Sequence, residues 1–228
     1  MSVEELLAEQ VRYYRARATE YDDWWYRRGR YDDGPEANAR WFAQISEVES
    51  ALEQFGATGD VLELASGTGL WTQHLVRTAA RVTAVDTSPE VIELNRARVR
   101  AAAVEYLQGD VFDLRMPDRY DVCFFGFWLS HVPEKRFVEF WEIVADALRP
   151  AGRVFFVDSG SASHRAHTTG AAAEAELRRL ADGREFRIVK RYHEQPRELE
   201  ERLRGLGFRL TVSSTSGGSM IYGSGARA

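Results

Sequence analysis

One segment of the sequence, VLELASGTGLW, combines residue types that suit ligand binding. An apolar run ends near Glu63, and two glycines, Gly67 and Gly69, flank a threonine shortly after it. Two further acids follow apolar runs in the same way: Asp86 closes RVTAVD, and Asp110 follows AVEYLQG. Glycines allow the backbone of a turn to approach a ligand closely, and carboxylates accept hydrogen bonds or attract cations. The pattern therefore indicates a site for a ligand that carries hydroxyl, amino or cationic groups.

Phosphate-binding alternatives fit this turn poorly. A P-loop requires a lysine directly after its last glycine, and residues 61–80 contain no lysine. A dinucleotide fingerprint requires a third glycine for close helix packing, and Thr72 stands at that position. The bulky Leu70 and Trp71 occupy the place where a pyrophosphate would approach. The negative charge of Glu63 would repel phosphates as well.

S-adenosylmethionine fits the same residues better, because it carries no phosphate and has two cationic groups, an ammonium and a sulfonium. Glu63 can anchor or polarise groups at its amino-acid end. Asp86 lies 19 residues after Gly67 and can accept both ribose hydroxyl protons, as acids do in other nucleoside sites. Asp110 can accept from the adenine amino group. The three acids would together surround a positively charged nucleoside.

The elements that position these acids follow from the apolar pattern, which alternates between strand and helix from residue 60 onward. Such alternation predicts an α/β fold: a doubly wound, mostly parallel seven-stranded sheet with a C-terminal antiparallel hairpin. The predicted strands are 60–65, 81–86, 103–110, 120–127, 153–158, 207–214 and 219–223, with a further short strand at 185–192. The predicted helices are 2–20, 36–55, 69–79, 88–100, 133–148, 171–181 and 196–206.

The 228 residues suit a single large α/β domain with four parts. Residues 1–58 would form N-terminal helices joined by an aromatic lid, and residues 59–158 would form the cofactor-binding core. Residues 159–195 would be a variable substrate or lid segment, in which residues 159–185 would form either a lid or a dimer arm. Residues 196–228 would supply the last helix and the hairpin.

The motif ELASGTG and the three spaced acids resemble those of class I S-adenosylmethionine-dependent methyltransferases, over residues 60–158. The resemblance implies a Rossmann-like fold, S-adenosylmethionine as cofactor and S-adenosylhomocysteine as product. It also implies a set of cofactor-binding residues from the N-terminal helices and the strand ends. These are Tyr14, Tyr21, Glu63, Ala65, Gly67, Gly69, Trp71, Asp86, Thr87, Ser88, Gly109, Asp110, Val111 and Phe127.

Four flanking segments, YYRARATEYD, DVLELASGTGLWTQHL, FFGFWLSHVP and DGREFRIVK, are similar to phosphonate O-methyltransferases of the dehydrophos type. This similarity implies a small acidic acceptor, a phosphonate or a carboxylate, held by Lys190 with help from Arg187. In a strand, residues three apart point to opposite faces, so one of these two cations would face the pocket. Tyr31 would present its hydroxyl to the acceptor.

His131 follows the fourth strand on the cofactor side of the sheet, which leaves a second function open. It could act as a general base for methylation of a phenol or an amine, or donate a hydrogen bond to the acceptor. A non-catalytic cofactor-binding protein would carry the same cofactor residues and stays a distant alternative.

Composition narrows the class of protein further. The net charge of −5 argues against nucleic acid as a partner. The N-terminus lacks a secretory signal, and no apolar stretch is long enough to span a membrane, so we expect a cytoplasmic monomer or homodimer without membrane contact.

The single cysteine, Cys123, lies in an apolar run typical of a packed strand. We expect no metal site, since His164 and His167 lack a third ligand nearby.

Overall fold

The computed structural model describes residues 1–160, 174–193 and 195–228. Nine strands are present in these ranges. They are β1 (Gly59–Leu64), β2 (Ala79–Asp86), β3 (Val104–Gln108), β4 (Tyr120–Gly126), β5 (Leu148–Ser159), β6 (Ala175–Arg179), β7 (Glu185–Val189), β8 (Phe208–Ser214) and β9 (Met220–Arg227). His164, His167 and the first three residues of the helix predicted at 171–181 lie outside the described residues.

Seven strands form one sheet in the order β3-β2-β1-β4-β5-β9-β8. The first five run parallel, while β9 pairs antiparallel with both β5 and β8. The predicted seven-stranded sheet with a C-terminal antiparallel hairpin is confirmed. β9 extends beyond its predicted end because it lies between two partners and is hydrogen-bonded along both edges. Strand order reverses between β1 and β4, which is where doubly wound sheets bind ligands.

Seven helices surround this sheet in the described ranges. They are α1 (Val3–Ala16), α2 (Tyr21–Trp25), α3 (Pro35–Phe55), α4 (Thr72–Leu75), α5 (Pro89–Val99), α6 (Phe137–Ala147) and α7 (Pro196–Gly205). Short 3₁₀ turns add Gly29–Tyr31, Val111–Asp113, Leu129–His131 and Glu134–Arg136. Local sequence signals account for the start of two helices. Ser2 and Glu5 form a capping box on α1, and Ser88 caps the N-terminus of α5. None of the described helices has the length and apolar character needed to cross a membrane.

The side chains of the central strands alternate between two cores, one on each face of the sheet. Along β4, Cys123 and Phe125 join the core under α6 and α7, whereas Val122 and Phe124 join the core under α3. Burial on both faces explains why these strands read as continuous apolar runs. Cys123 is fully buried, and burial raises the pKa of its thiol.

Two sequence-based assignments were wrong or incomplete. The segment predicted as a helix at 171–181 contains β6, which pairs antiparallel with β7 in a separate two-stranded sheet. This tertiary pairing overrides the helical propensity of its alanine, glutamate, leucine and arginine residues. The helix predicted at 69–79 is reduced to the single turn α4, because the preceding residues form the glycine turn itself.

Candidate active site

A cavity opens at the carboxyl ends of the parallel strands, where the strand order reverses. Both central strands end in a non-glycine residue with left-handed backbone, Ala65 after β1 (φ 51°) and Phe127 after β4 (φ 54°). Ten of the fourteen residues predicted to bind cofactor line this cavity. They are Tyr14, Tyr21, Ala65, Gly67, Asp86, Thr87, Gly109, Asp110, Val111 and Phe127. Gln10, Phe112 and Trp128 also line it and were not predicted.

Asp86 connects the end of β2 to the glycine turn. Its carboxylate accepts hydrogen bonds from the backbone N–H of Gly67 and of Ser88, each at 3.0 Å. Burial raises the pKa of Asp86, and these backbone hydrogen bonds oppose the shift. The carboxylate is therefore held in place by the turn while it faces the cavity.

Glu63 lies beneath the turn and does not line the cavity. A chain of hydrogen bonds ends on it: Tyr106 donates to Asn95 at 3.0 Å, Asn95 donates to Thr72 at 2.9 Å, and Thr72 donates to Glu63 at 2.6 Å. Asn95 also donates to the carbonyl of Gly67 at 3.2 Å. The structure thus corrects the expectation that Glu63 contacts the ligand, because its side chain turns into the sheet–helix interface and supports the turn from below.

The environment of Glu63 changes its ionisation. The residue is 1% exposed, and burial raises the pKa of its carboxyl to about 8. The hydrogen bond from Thr72 opposes this rise. At pH 7 the carboxyl is therefore mostly protonated. A neutral acid at this place cannot attract a cationic ligand by charge.

Three other predicted cofactor residues also have packing roles. A Cβ on Gly69 would lie 2.6 Å from the Asn95 side chain. Trp71 packs beneath Gly126, where an added Cβ would meet the indole at 2.7 Å. Ser88 caps α5 by accepting from the N–H of Val91. These three residues do not line the cavity; they pack behind the residues that do and support them.

A second and larger cavity, of about 870 Å³, adjoins the first. Tyr14, Tyr21, Phe127 and His131 line both cavities and form the boundary between them. Six cationic side chains line the larger one: Arg17, Arg27, Arg30, Arg178, Arg179 and Lys190. Its acidic lining residues are Asp33 and Glu176.

His131 is held between two hydrogen-bond partners. Its Nδ1 lies 2.6 Å from the carbonyl oxygen of Val189 and must carry the proton, because a carbonyl only accepts. Its Nε2 lies 2.7 Å from the hydroxyl of Tyr14 and accepts from it. Burial, together with the positive charge of Lys190, lowers the pKa of His131 well below its usual value. The imidazole is neutral at pH 7.

Lys190 follows β7 and points into the larger cavity. Its Nζ donates to the hydroxyls of Ser130 and Ser159, each at 2.8 Å, and lies 3.9 Å from the buried carboxylate of Asp158. Burial lowers the pKa of Lys190 to about 8, and the charge of Asp158 opposes that shift. Arg187, by contrast, is exposed and lines neither cavity, because it stands on the opposite face of β7. Its assignment to the acceptor pocket is corrected.

Tyr31 lines the larger cavity from the aromatic segment. Its hydroxyl accepts from Arg30 at 2.7 Å and from Arg17 at 3.4 Å. The hydroxyl is therefore held by guanidinium groups, which leaves its own proton to donate to another acceptor.

Arg17 and Arg178 line the larger cavity and were missed by sequence reasoning. The guanidinium of Arg17 lies within 6 Å of four aromatic rings, those of Tyr13, Tyr21, Trp24 and Tyr31. Arg17 forms no ion pair in the part of the chain that the structure describes, and its Nε is buried without a partner there. One signal was available: Arg17 follows Gln10 and Tyr13 at helical spacing, on the face of α1 that is buried.

Comparison with known proteins agrees with this architecture. Residues 61–152 match a family model described as a methyltransferase domain. A solved structure of DhpI in complex with SAM and HEP is 39% identical, covers the full length of both chains and superposes with a TM-score of 0.79. The chain belongs to the class I S-adenosylmethionine-dependent methyltransferases. S-adenosylmethionine is the cofactor of this family.

Curated relatives match the chain over shorter segments. A ubiquinone biosynthesis O-methyltransferase of Xanthomonas euvesicatoria pv. vesicatoria (strain 85-10) is 30% identical over 49% of this chain and 47% of that protein. A fatty-acid O-methyltransferase of Mycolicibacterium smegmatis is 32% identical over 53% of this chain and 44% of that protein. The chain spans about half the length of the curated relatives it matches.

The first cavity suits S-adenosylmethionine by the chemistry of its lining. Asp86 and Asp110 offer carboxylates, and Tyr14, Tyr21 and Phe127 offer aromatic faces. Its described lining contains no lysine or arginine that could pair with a phosphate group. Within the described residues, no group of three or more histidine, cysteine, aspartate or glutamate side chains is arranged to hold a metal ion.

The raised pKa of Glu63 gives a test of its place in the fold. Its carboxyl keeps its proton in the folded state up to about pH 8 but loses it near pH 4.5 when unfolded. Stability should therefore fall as pH rises through this window. We expect Glu63→Gln to remove this slope and to be more stable than the wild type at pH 9 by roughly 1–3 kcal/mol.

Chemical denaturation between pH 5 and pH 9 measures this effect. Glu93→Gln, which neutralises an exposed carboxylate on α5, is the matched control and should keep the wild-type slope. Equal slopes for Glu63→Gln and the wild type would contradict the interpretation.

Proposed function

We propose that this methyltransferase transfers the methyl group of S-adenosylmethionine to an anionic oxygen of a small acidic molecule, a phosphonate or a carboxylate. The observation that carries the proposal is the charge of the larger cavity. Six cationic side chains and two carboxylates line it, and it shares four lining residues with the cofactor cavity. Its volume of about 870 Å³ is in the range of small-molecule sites, which is roughly 300–1,000 Å³.

Residues of the first cavity would hold the cofactor. Asp86 would accept hydrogen bonds from the ribose hydroxyls, and Asp110 would accept from the adenine amino group. When bound, S-adenosylmethionine supplies an electrophilic methyl group on a positively charged sulfur. Tyr14, Tyr21 and Phe127 line both cavities, so these side chains would align the acceptor with the cofactor and keep water out. Such alignment can lower a barrier by about 7–11 kcal/mol.

The cationic side chains would hold the acid. Lys190 is mostly charged at pH 7, since its pKa of about 8 lies above that pH, and arginine keeps its charge in proteins. Arg178 lines the cavity beside Glu176, and Arg17 lines it with its Nε buried and without a partner in the described part of the chain. A hydrogen bond to a charged group contributes roughly 1.5–3 kcal/mol, so two or three such contacts suffice for selective binding.

An acceptor that is already anionic needs no base, and the cavity is suited to that case. His131 has a pKa well below the usual range, and a base with so low a pKa takes up a proton poorly at pH 7. Its Nε2 also accepts the Tyr14 hydrogen bond. A phenol, alcohol or ammonium would have to lose its proton to this weak base.

Two of the similar proteins reported above are consistent with an acidic acceptor. DhpI was solved with HEP beside SAM, and one curated relative is a fatty-acid O-methyltransferase, named for an acidic molecule. The flanking segments of this chain resemble phosphonate O-methyltransferases. Together they support an oxygen of an acid as the atom that is methylated.

Base-dependent methylation of a phenol or an amine is the second candidate. One observation favours it, namely that the hydrogen-bonded pair of Tyr14 and His131 lies on the boundary between the two cavities. A proton from the acceptor could pass to this pair.

Cofactor binding tests the assignment of Asp86. We expect Asp86→Asn to weaken binding of S-adenosylhomocysteine by about 10- to 100-fold, because the amide replaces one acceptor by a donor and removes the charge. Isothermal calorimetry measures the dissociation constant. Asp146→Asn, an exposed position on α6, should bind like the wild type, and equal affinities for all three proteins would remove Asp86 from the site.

The pKa of Lys190 predicts a pH dependence for the acid acceptor. The ammonium is charged below about pH 8 and loses its charge above it. We therefore expect kcat/KM for a phosphonate or carboxylate panel to decline on the alkaline side of pH 8. Lys190→Met should raise KM by about tenfold or more at pH 7 and abolish this decline.

The other lysine of the chain is a matched control, because Lys135 is exposed and lies outside both cavities. Lys135→Met should keep the wild-type KM and pH profile. An unchanged profile in Lys190→Met, with acid methylation intact, would exclude Lys190 from acceptor binding.

Substitution of His131 separates the two candidate functions. With an acidic acceptor, His131→Gln should lower kcat by less than about tenfold, because no proton has to be removed. A loss of about 10²–10⁴-fold is expected of a general base. Initial rates at saturating S-adenosylmethionine measure kcat, and a loss in the larger range with unchanged cofactor affinity would favour the phenol or amine acceptor.

A further inference from the structure

A cluster of three polar residues joins the aromatic segment to the glycine turn. Asp22, in the first turn of α2, accepts a hydrogen bond from the hydroxyl of Thr68 at 2.7 Å and is ion-paired with Arg98 of α5. Arg98 in turn donates to the carbonyl of Thr68 at 2.7 Å and to its hydroxyl at 3.0 Å. We name this cluster the clasp; it consists of Asp22, Thr68 and Arg98.

The clasp differs from an ordinary surface ion pair. Thr68 is 2% exposed, and the side chains of Asp22 and Arg98 are 29% and 21% exposed. Every member makes at least two of the contacts, and the members come from three elements that are distant in sequence. Partial burial and a closed hydrogen-bond network keep such a pair ordered, whereas isolated exposed ion pairs contribute little to the free energy of unfolding.

Each end of the clasp belongs to a different cavity wall. Thr68 and its neighbour Gly67 line the cofactor cavity. Trp24, two residues after Asp22 in α2, lines the larger cavity, and Tyr21, directly before Asp22, lies on the boundary of both cavities. One carboxylate and one guanidinium therefore link the glycine turn to the aromatic wall of the larger cavity.

We propose that Asp22 and Arg98 are positioning residues that couple the two sites. A ligand seated on the glycine turn restrains Thr68, and through the clasp it orders the aromatic segment that forms one wall of the larger cavity. Binding in the first cavity thus prepares the second for its occupant. The coupling is reciprocal, so an occupant of the larger cavity tightens binding at the turn by the same factor.

Hydrogen–deuterium exchange of the aromatic segment, residues 21–31, tests the coupling with S-adenosylhomocysteine as the sole ligand. In the wild type we expect saturating S-adenosylhomocysteine to slow exchange of this segment by about tenfold, which lies within the usual range for coupled sites. Asp22→Asn and Arg98→Met should each lose most of this protection. The double variant should behave like either single variant, because each substitution opens the same network.

An exposed ion pair on the same helix is the matched control. Glu93 and Arg96 form an ion pair on α5 that contacts neither cavity wall, so Glu93→Gln and Arg96→Met should retain the wild-type protection. Arg98→Lys preserves the charge and should restore part of it. Full protection in Asp22→Asn and Arg98→Met, or additive losses in the double variant, would overturn the proposal.

A kinetic measurement, which rests on the proposed function, adds a second readout. For an acid that the wild type methylates, the clasp variants should raise the acceptor KM by about five- to tenfold while kcat falls by less than about threefold. A merely destabilised protein would lose active enzyme and so lower kcat at constant KM. If the wild type methylates no acid, the proposed acceptor is wrong. The exchange measurement then decides on its own whether the clasp couples the two sites.

Discussion

The left-handed turn after β1 is the feature on which both cavities depend. Ala65, Gly67 and Gly69 all have positive φ, and a non-glycine residue in this region costs roughly 1–2 kcal/mol. Phe127 carries the same strain at the end of β4. Such strain persists because neighbouring strands fix the chain on either side: Ser66 donates to Val85, and Phe127 donates to Val157 at 2.7 Å. The two central strands therefore end in backbone that turns away from the sheet and leaves room for a ligand.

The sequence could predict those site residues whose position follows from their own chain segment. It could not predict residues whose orientation depends on contacts with other segments. Asp86 was identified because its position at a strand end follows from the apolar run before it. Glu63 was also placed at the cavity, but Thr72 donates a hydrogen bond to it in the protein interior, and the amide of Asn95 donates in turn to Thr72. The pattern of one chain segment shows where a strand ends and cannot show which of two neighbouring surfaces a side chain faces.

The larger cavity was less predictable, since its walls come from segments far apart in sequence. Arg17 lies on a helix whose polar residues read as solvated, although aromatic rings from the next segment enclose its guanidinium. Arg178 was hidden by the helix predicted at 171–181, because only pairing with β7 makes this segment a strand and turns the side chain toward the cavity. Lys190 was found through the rarity of lysine in this chain and the resemblance of its segment.

The distribution of charge has a consequence for catalysis. The four boundary side chains, Tyr14, Tyr21, Phe127 and His131, carry no charge at pH 7. Phenylalanine does not ionise, tyrosine is neutral at this pH and burial raises its pKa further, and burial lowers the pKa of the histidine. When a methyl group passes from a sulfonium to an anionic oxygen, both reacting charges diminish in the transition state. Cations that bound the attacking oxygen directly would stabilise the reactants more than the transition state and would slow the reaction. The cationic residues therefore favour catalysis only if they hold the oxygens of the acid that do not react, while an uncharged boundary surrounds the one that does. A phosphonate or carboxylate has such a spare oxygen, which a phenolate or an amine lacks, and this difference is a chemical reason for proposing an acid as the occupant of the larger cavity.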